Sequence, residues 1–268
     1  MTNKIEFSDV LSAVQKIHRE YKERPIETKV APEDDMVNAD WDHQKTHYFA
    51  VGANAVEIIL QSMTLCAVTS LASILDMPSG FGRVTRHLRA AFPEASLYAS
   101  DLYRDRIDFC AQVLGTKAIK SEENLDEIVF PTKFDLIWCG SLLTHFAAPE
   151  FESALALFSR SLNVNGIAIV TLHGRYSLFV QHNRWKYLPD ETFAIAESQF
   201  RAEGFGYADY GRPDQFFEQK QYGISLSAPS YALKRLESDD SLRIKGYAER
   251  HWDDHQDVLM FQKTSLNL

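Results

Sequence analysis

The feature that most constrains this chain is an alternation that begins at Ser73. Apolar, strand-like runs are separated by helix-like ones: SILDM then VTRHLRAAF, SLYASD then RDRIDFCAQVL, KAIKS then a short acidic stretch, FDLIWCG then PEFESALALFSRSL, and finally GIAIVTLHG. Strands joined through helical crossovers build a parallel sheet, because a tight turn cannot connect a parallel pair. The runs are continuously apolar, as expected of strands covered on both faces. The expectation is therefore an α/β fold, a Rossmann-like, mostly parallel sheet with helices on both faces. Residues 7–24 place Phe7, Val10, Leu11, Val14, Ile17 and Tyr21 at helical spacing, and a second helix is expected over residues 48–63. Beyond Gly174 the pattern predicts a helix over ETFAIAESQFRAEGF and strands over GYADY, YGISLSA and DVLMFQK.

The stretch LDMPSGFGRVTRHL, residues 75–88, carries the first strand into the first helix of that alternation. Asp76 stands at the strand's carboxyl end, and Gly80 and Gly82 permit tight backbone geometry and close approach of a ligand. The helix end after Gly82 is electropositive and suits a phosphate or a carboxylate equally. Asp101 closes the second strand, where a carboxylate can accept hydrogen bonds from ribose hydroxyls. Two ligand classes share this arrangement. A dinucleotide fingerprint asks for G-x-G-x-x-G/A, and Thr85 occupies the third slot, which counts against it.

At these residues the chain resembles the class I S-adenosylmethionine-dependent methyltransferases. Their first motif is a hydrophobic strand, an acidic residue and x-G-x-G-x-G. Asp76-Met-Pro78-Ser79-Gly80-Phe-Gly82 matches it except at Pro78, which replaces the first glycine. FDLIWCGSLLTH, residues 134–145, resembles the family's fourth strand and following loop, and LNVNGIAIV resembles its lead into strand five, with Asn165 replacing a glycine. The resemblance covers residues 73–171 and implies S-adenosylmethionine as cofactor and seven strands in all. EGF would lead into the sixth strand and DVLMFQK would form the seventh. It implies cofactor contacts from Asp76, Pro78, Ser79, Gly80, Gly82, Asp101 with Leu102, and Cys139, Gly140 and Ser141. Ser121 and Glu122 fall where the family contacts adenine; a solvated acidic loop is the competing reading. The family often folds an N-terminal extension over the site as a lid. The aromatic run WDHQKTHYF, residues 41–49, suits that role, with Tyr48 the cofactor-side candidate. One domain is expected, with residues 1–72 as extension or lid, 73–174 as cofactor-binding core and 175–268 as the substrate-side part.

Methyl transfer needs alignment more than chemistry from the protein, with a base only where the nucleophile must lose a proton. His145 and His173 follow strands four and five and are the candidate bases. Cys139 reads as a packed small residue, because no base partners it. His251 and His255 flank Trp-Asp-Asp ahead of a strand, where they would share no helical face, so no metal site is expected.

Composition narrows the acceptor. With 28 Lys and Arg against 37 Asp and Glu, the formal charge is −9, which excludes a nucleic-acid backbone as the default partner. A small-molecule substrate is expected, methylated on oxygen or nitrogen. Cys66, Cys110 and Cys139 form no C-x-x-C pair, and the first 25 residues lack the apolar core of a signal peptide. Residues 53–75 are too polar to cross a bilayer. A cytoplasmic protein without membrane attachment is the expectation; oligomeric state is not legible. Two alternatives stay open: a non-catalytic protein of the same fold, and an NAD(P)-dependent oxidoreductase.

Overall fold

The computed structural model describes residues 6–37, 41–211 and 222–265. Its elements run α1 (Phe7–Glu23), α2 (Trp41–Leu65), β1 (Ser73–Asp76), α3 (Thr85–Ala91), β2 (Ser96–Asp101), α4 (Arg104–Leu114), β3 (Lys117–Lys120) and β4 (Phe134–Cys139). There follow α5 (Ala148–Ser161), β5 (Leu162–Leu172), α6 (Arg175–Asn183), α7 (Asp190–Glu203), β6 (Phe205–Asp209), β7 (Gly223–Ser227), α8 (Pro229–Glu237), β8 (Leu242–Trp252) and β9 (Gln256–Lys263).

Seven strands form one sheet in the order β3-β2-β1-β4-β5-β9-β8. The first five pair in parallel, and β9 runs antiparallel to both β5 and β8. The sheet is thus the Rossmann-like, mostly parallel one that the alternation predicts. Successive strand residues explain the continuous apolar runs. Ile74, Leu136 and Ile167 point to a layer with Val56, Ile59 and Met63 of α2 and Leu88 of α3. Their neighbours Leu75, Ile137 and Ala168 point to the other layer, with Phe151 and Phe158 of α5 and Leu236 of α8. Both faces are buried, so neither tolerates polar alternation.

The C-terminal part differs from expectation. GYADY does not enter the main sheet as its sixth strand. It forms β6, which pairs antiparallel with β7 in a separate two-stranded sheet packed on α7 through Phe193, Phe200 and Leu226. The strand that fills the sheet edge is β8, LRIKGYAERHW, which the sequence pattern did not reveal. An edge strand is covered on fewer sides, so β8 keeps charged residues and a glycine and breaks its register twice. Helices α6 and α8 also went unread, being nine residues each with mixed faces. Helix α2 starts at Trp41 rather than Tyr48.

Candidate active site

Strand order reverses between β1 and β4, and open α/β sheets gather ligands at such a point. Two adjoining cavities of about 300 and 200 Å³ lie there, both lined by Asp35, Pro78, Asp101, Arg106, Ser141, His145 and Tyr222. They form the two lobes of one cleft.

The larger lobe is a slot walled by Leu102, Tyr103, Leu125, Leu142 and Phe146, with Ser121 and Glu122 on its rim. That is a shape for a flat ring with polar edges. At its inner end lies Asp101, whose oxygens accept hydrogen bonds from the backbone amides of Gly80 (3.0 Å) and Tyr103 (3.1 Å). Each carboxylate oxygen keeps a second lone pair, so the pair can still accept two hydroxyls. Burial raises the Asp101 pKa, while the Arg106 charge pulls it back.

The smaller lobe is built by the loop after β1. The Met77–Pro78 peptide is cis, and Gly80 and Gly82 both take positive φ, +51° and +83°. Their roles differ. A Cβ on Gly80 would meet nothing within 4 Å, so its backbone faces open cleft. A Cβ on Gly82 would come within 2.4 Å of Leu114 Cδ1, so that glycine lets the loop pack on α4. Asp76 is buried at the end of β1, and the Thr85 hydroxyl donates to it at 2.5 Å. The residue that departs from the dinucleotide fingerprint therefore orients the acidic residue of the loop. Burial pushes the Asp76 carboxyl up to about 7; the Thr85 hydrogen bond opposes that rise and the nearby Asp101 charge adds to it.

Arg83 completes this lobe. It sits in the turn over residues 80–84, half-buried, with its guanidinium 5.7 Å from the Trp252 ring centre. Among the described residues it has no hydrogen-bonded carboxylate, and burial lowers its pKa from the usual arginine value. The glycine pattern predicts a helix end directly after Gly82 as the place for a carboxylate. Helix α3 begins only at Thr85, and Arg83, ahead of it, is a cation facing the smaller lobe together with Arg106.

Ser141, at the end of β4, has φ +56°, unusual for a residue with a side chain. A closed polar triangle holds it. Its amide donates to Thr171 Oγ1 (2.8 Å), Thr171 donates to Gln256 Oε1 (2.6 Å), and Gln256 Nε2 donates to Ser141 Oγ (2.6 Å). His145 follows in a 3₁₀ turn over Leu143–His145. Its Nδ1 lies 2.9 Å from the Gly223 carbonyl and 3.2 Å from the Tyr210 hydroxyl, and its ring stacks on Tyr222 at 4.7 Å. A carbonyl can only accept, so Nδ1 carries the proton and Nε2 is the basic nitrogen.

Of the residues expected from sequence, Asp76, Pro78, Ser79, Gly80, Asp101, Leu102, Ser121, Glu122, Gly140, Ser141 and His145 line the cleft. Tyr48, Gly82, Cys139 and His173 do not. Tyr48 is buried one layer back, donating at 2.8 Å to Asp34, which does line it. Cys139 points into the core, where burial raises its thiol pKa well above the ordinary value. His173 is buried behind His145, with ring centres 6.3 Å apart. Burial and the neighbouring His145 and His255 hold its pKa well below the ordinary value, so it is neutral. The sequence reading missed Arg83, Arg106, Asp34, Asp35, Tyr210 and Tyr222. Arg83 was findable as the cation directly after Gly82; the others come from segments whose local pattern carries no ligand signal.

Among the described residues there is no cluster of metal-ligating side chains, and no helix is long and apolar enough to cross a membrane.

Residues 74–166 match a family model described as a methyltransferase domain. Solved structures share the fold. A protein from Pyrococcus horikoshii OT3 is 12% identical with a TM-score of 0.56, over 88% of this chain and 97% of that one. An S-adenosylmethionine-dependent methyltransferase from Clostridium acetobutylicum ATCC 824 is 14% identical at 0.53, over 81% and 92%. The S-adenosylmethionine-bound amino pentose methyltransferase CalS10 from Micromonospora echinaspora, involved in calicheamicin biosynthesis, is 14% identical at 0.53, over 83% and 97%. No curated protein matches the sequence. The sheet is that of a Rossmann-like α/β domain, and residues 74–166 within it are of the methyltransferase-domain kind. Across most of its length the chain shares the fold of S-adenosylmethionine-dependent methyltransferases of solved structure.

Proposed function

We propose that the chain binds S-adenosylmethionine in the two-lobed cleft and transfers its methyl group to an oxygen or nitrogen of a small molecule. The observation that carries this reading is the pairing of Asp101, which lines both lobes, with Arg83, which lines the smaller one. Asp101 suits ribose hydroxyls, and Arg83, with no hydrogen-bonded carboxylate among the described residues, offers its donors to the carboxylate of a methionine moiety. The slot beyond Asp101 takes the adenine ring, with Ser121 and Glu122 at its edge. Asp76 stands where it favours a cationic centre over a neutral one, since its partner Thr85 leaves the carboxylate's remaining lone pairs available.

When bound, the cofactor supplies a methyl group activated by a sulfonium. The chain's own residues then have three tasks. Gly80, Ser141 and Asp101 fix the cofactor; the segment with Asp34, Asp35 and Met36 covers the smaller lobe and excludes water. His145 Nε2 takes a proton from the acceptor where one must be lost, and its Nδ1 anchor keeps the ring in place. His173, neutral and buried behind it, supports that ring and does not touch the cleft. In this reading residues 1–72 are the covering extension, 73–174 hold the cofactor and 175–268 shape the acceptor side, without nucleic acid or membrane as partner. The test is transfer of label from methyl-labelled S-adenosylmethionine to a panel of small hydroxyl and amine acceptors. Labelled product that vanishes in His145→Ala supports it. Tight cofactor binding without transfer across a broad panel favours a non-catalytic protein of this fold.

A further inference from the structure

A second concave surface lies away from the cleft, a groove of about 530 Å³ lined by Arg175, Tyr176, Phe179, Arg184, Glu249 and Arg250. Three arginines converge there in a chain whose formal charge is −9. The floor is aromatic: Tyr176 and Phe179, three residues apart on α6, stack with ring centres 5.6 Å apart and planes 18° apart. Arg250 Cζ lies 3.8 Å from the Tyr176 ring centre, and Arg184 lies 5.6 Å from Tyr176 and 5.8 Å from Phe179. Phe179 keeps 48% of its surface exposed, a large apolar area left open beside the cations.

Charge is not balanced inside the groove. Among the described residues Glu249 is its only lining carboxylate, and it is taken by Arg175 in a two-pronged ion pair of 2.8 and 2.7 Å. Asp254 meets Arg250 at 2.7 and 2.8 Å, and Asp254 does not line the groove. Arg184 has no carboxylate partner among the described residues. One positive charge is left over.

The backbone places Arg250 at a conformational cost. It has φ +56° within the register break of β8, a region that disfavours side chains. The buried Asp257 carboxylate enforces this by accepting the Arg250 amide at 2.9 Å and the Tyr247 hydroxyl at 2.7 Å. A strand bulge of this kind re-aims one side chain, here the guanidinium over Tyr176.

We infer that this groove is a binding site for a planar organic anion, an aromatic carboxylate or phosphate whose ring lies along Tyr176 and Phe179 and whose charge meets Arg184 and Arg250. Planar guanidinium groups suit both parts of such a ligand, stacking on the ring and donating paired hydrogen bonds to the anion. The groove is separate from the cofactor cleft and joined to it by a chain of rings. Tyr176 contacts His255 (6.4 Å), His255 contacts His173 (5.5 Å), and His173 contacts His145 (6.3 Å).

The test is calorimetry on the full chain with 1-naphthoate, 1-naphthyl phosphate and neutral 1-naphthylmethanol, with S-adenosylhomocysteine titrated in parallel. The naphthoate and phosphate arms say which anion is preferred. Expected is binding of at least one anion, about tenfold or more tighter than the alcohol. That binding weakens about tenfold or more in Arg184→Glu and in Arg250→Gly, which suits the positive φ. S-Adenosylhomocysteine affinity stays the same in both variants, showing that they fold. Absence of anion binding to the native chain, equal affinity for the alcohol, or unchanged anion affinity in both variants overturns the inference. Loss of S-adenosylhomocysteine binding to the native chain, with anion binding kept, leaves the groove standing and removes the proposed methyl-transfer reading instead.

Discussion

The backbone amide of Gly80 donates to the carboxylate of Asp101 across 3.0 Å, tying the loop after β1 to the end of β2. One side chain thereby shapes the loop and presents lone pairs to the larger lobe. Asp101→Ala should lose both effects. A hydrogen bond to a charged group contributes about 1.5–3 kcal/mol, so loss of even one ribose contact should lower S-adenosylhomocysteine affinity by about 10- to 100-fold or more. Calorimetry reads this, and unchanged affinity would mean that the ribose sits elsewhere.

Asp76 makes the cleft sensitive to pH. Its ordinary value is 3.8 and burial lifts it to about 7, so the fold favours the neutral carboxyl. That contribution to stability is complete below about pH 4 and is lost as pH rises toward 7. Asp76→Asn, neutral throughout, should therefore gain thermal stability over the native chain at pH 8 and little at pH 4. A cationic sulfonium favours the ionised form, whereas the neutral thioether of S-adenosylhomocysteine does not. The preference for the sulfonium should grow as pH rises through about 7, and Asp76→Asn should flatten that dependence. Calorimetric titrations at several pH values check both signs.

Arg83 is assigned to the methionine carboxylate. Arg83→Met keeps much of the side chain's length over Trp252 and removes the charge. It should weaken S-adenosylmethionine by about tenfold or more, as expected for loss of a charge-assisted pair. Decarboxylated S-adenosylmethionine should be nearly unaffected. Equal losses for the two ligands would contradict the assignment.

Gly82 is a packing position, and its substitution tests the loop without touching the cleft. Gly82→Ala places a Cβ within 2.4 Å of Leu114 Cδ1 at φ +83°. Overpacking and the backbone conformation should together cost about 1–3 kcal/mol in chemical denaturation. Gly80→Ala meets no side chain, so its stability loss should come from backbone strain alone and be smaller.

Much of this was legible in the sequence because both sheet faces are buried. Leu75, Ile137 and Ala168 had to be apolar on one face while Ile74, Leu136 and Ile167 were apolar on the other, which left runs that stand out. That Asp76, Gly80 and Asp101 would meet at one cleft was readable because they sit at fixed places along those runs. Strand β8 was not, since an edge position lets Lys245, Gly246 and Glu249 interrupt it. Tyr222 and Asp35 reach the cleft from outside the alternating core, so their roles depend on folding and not on local pattern. Tyr48, expected on the cofactor side from the aromatic run over residues 41–49, stands behind the cleft and donates to Asp34, a placement set by packing and not by local pattern.

The central claim is that the cleft holds S-adenosylmethionine and not a dinucleotide, and one comparison tests it most directly. The full chain is titrated calorimetrically with S-adenosylmethionine, S-adenosylhomocysteine and NAD under one set of conditions. Saturable one-to-one binding of both sulfur ligands, weakened by Asp101→Ala, is expected, with no heat of binding from NAD. Saturable binding of NAD with no response to either sulfur ligand would contradict it.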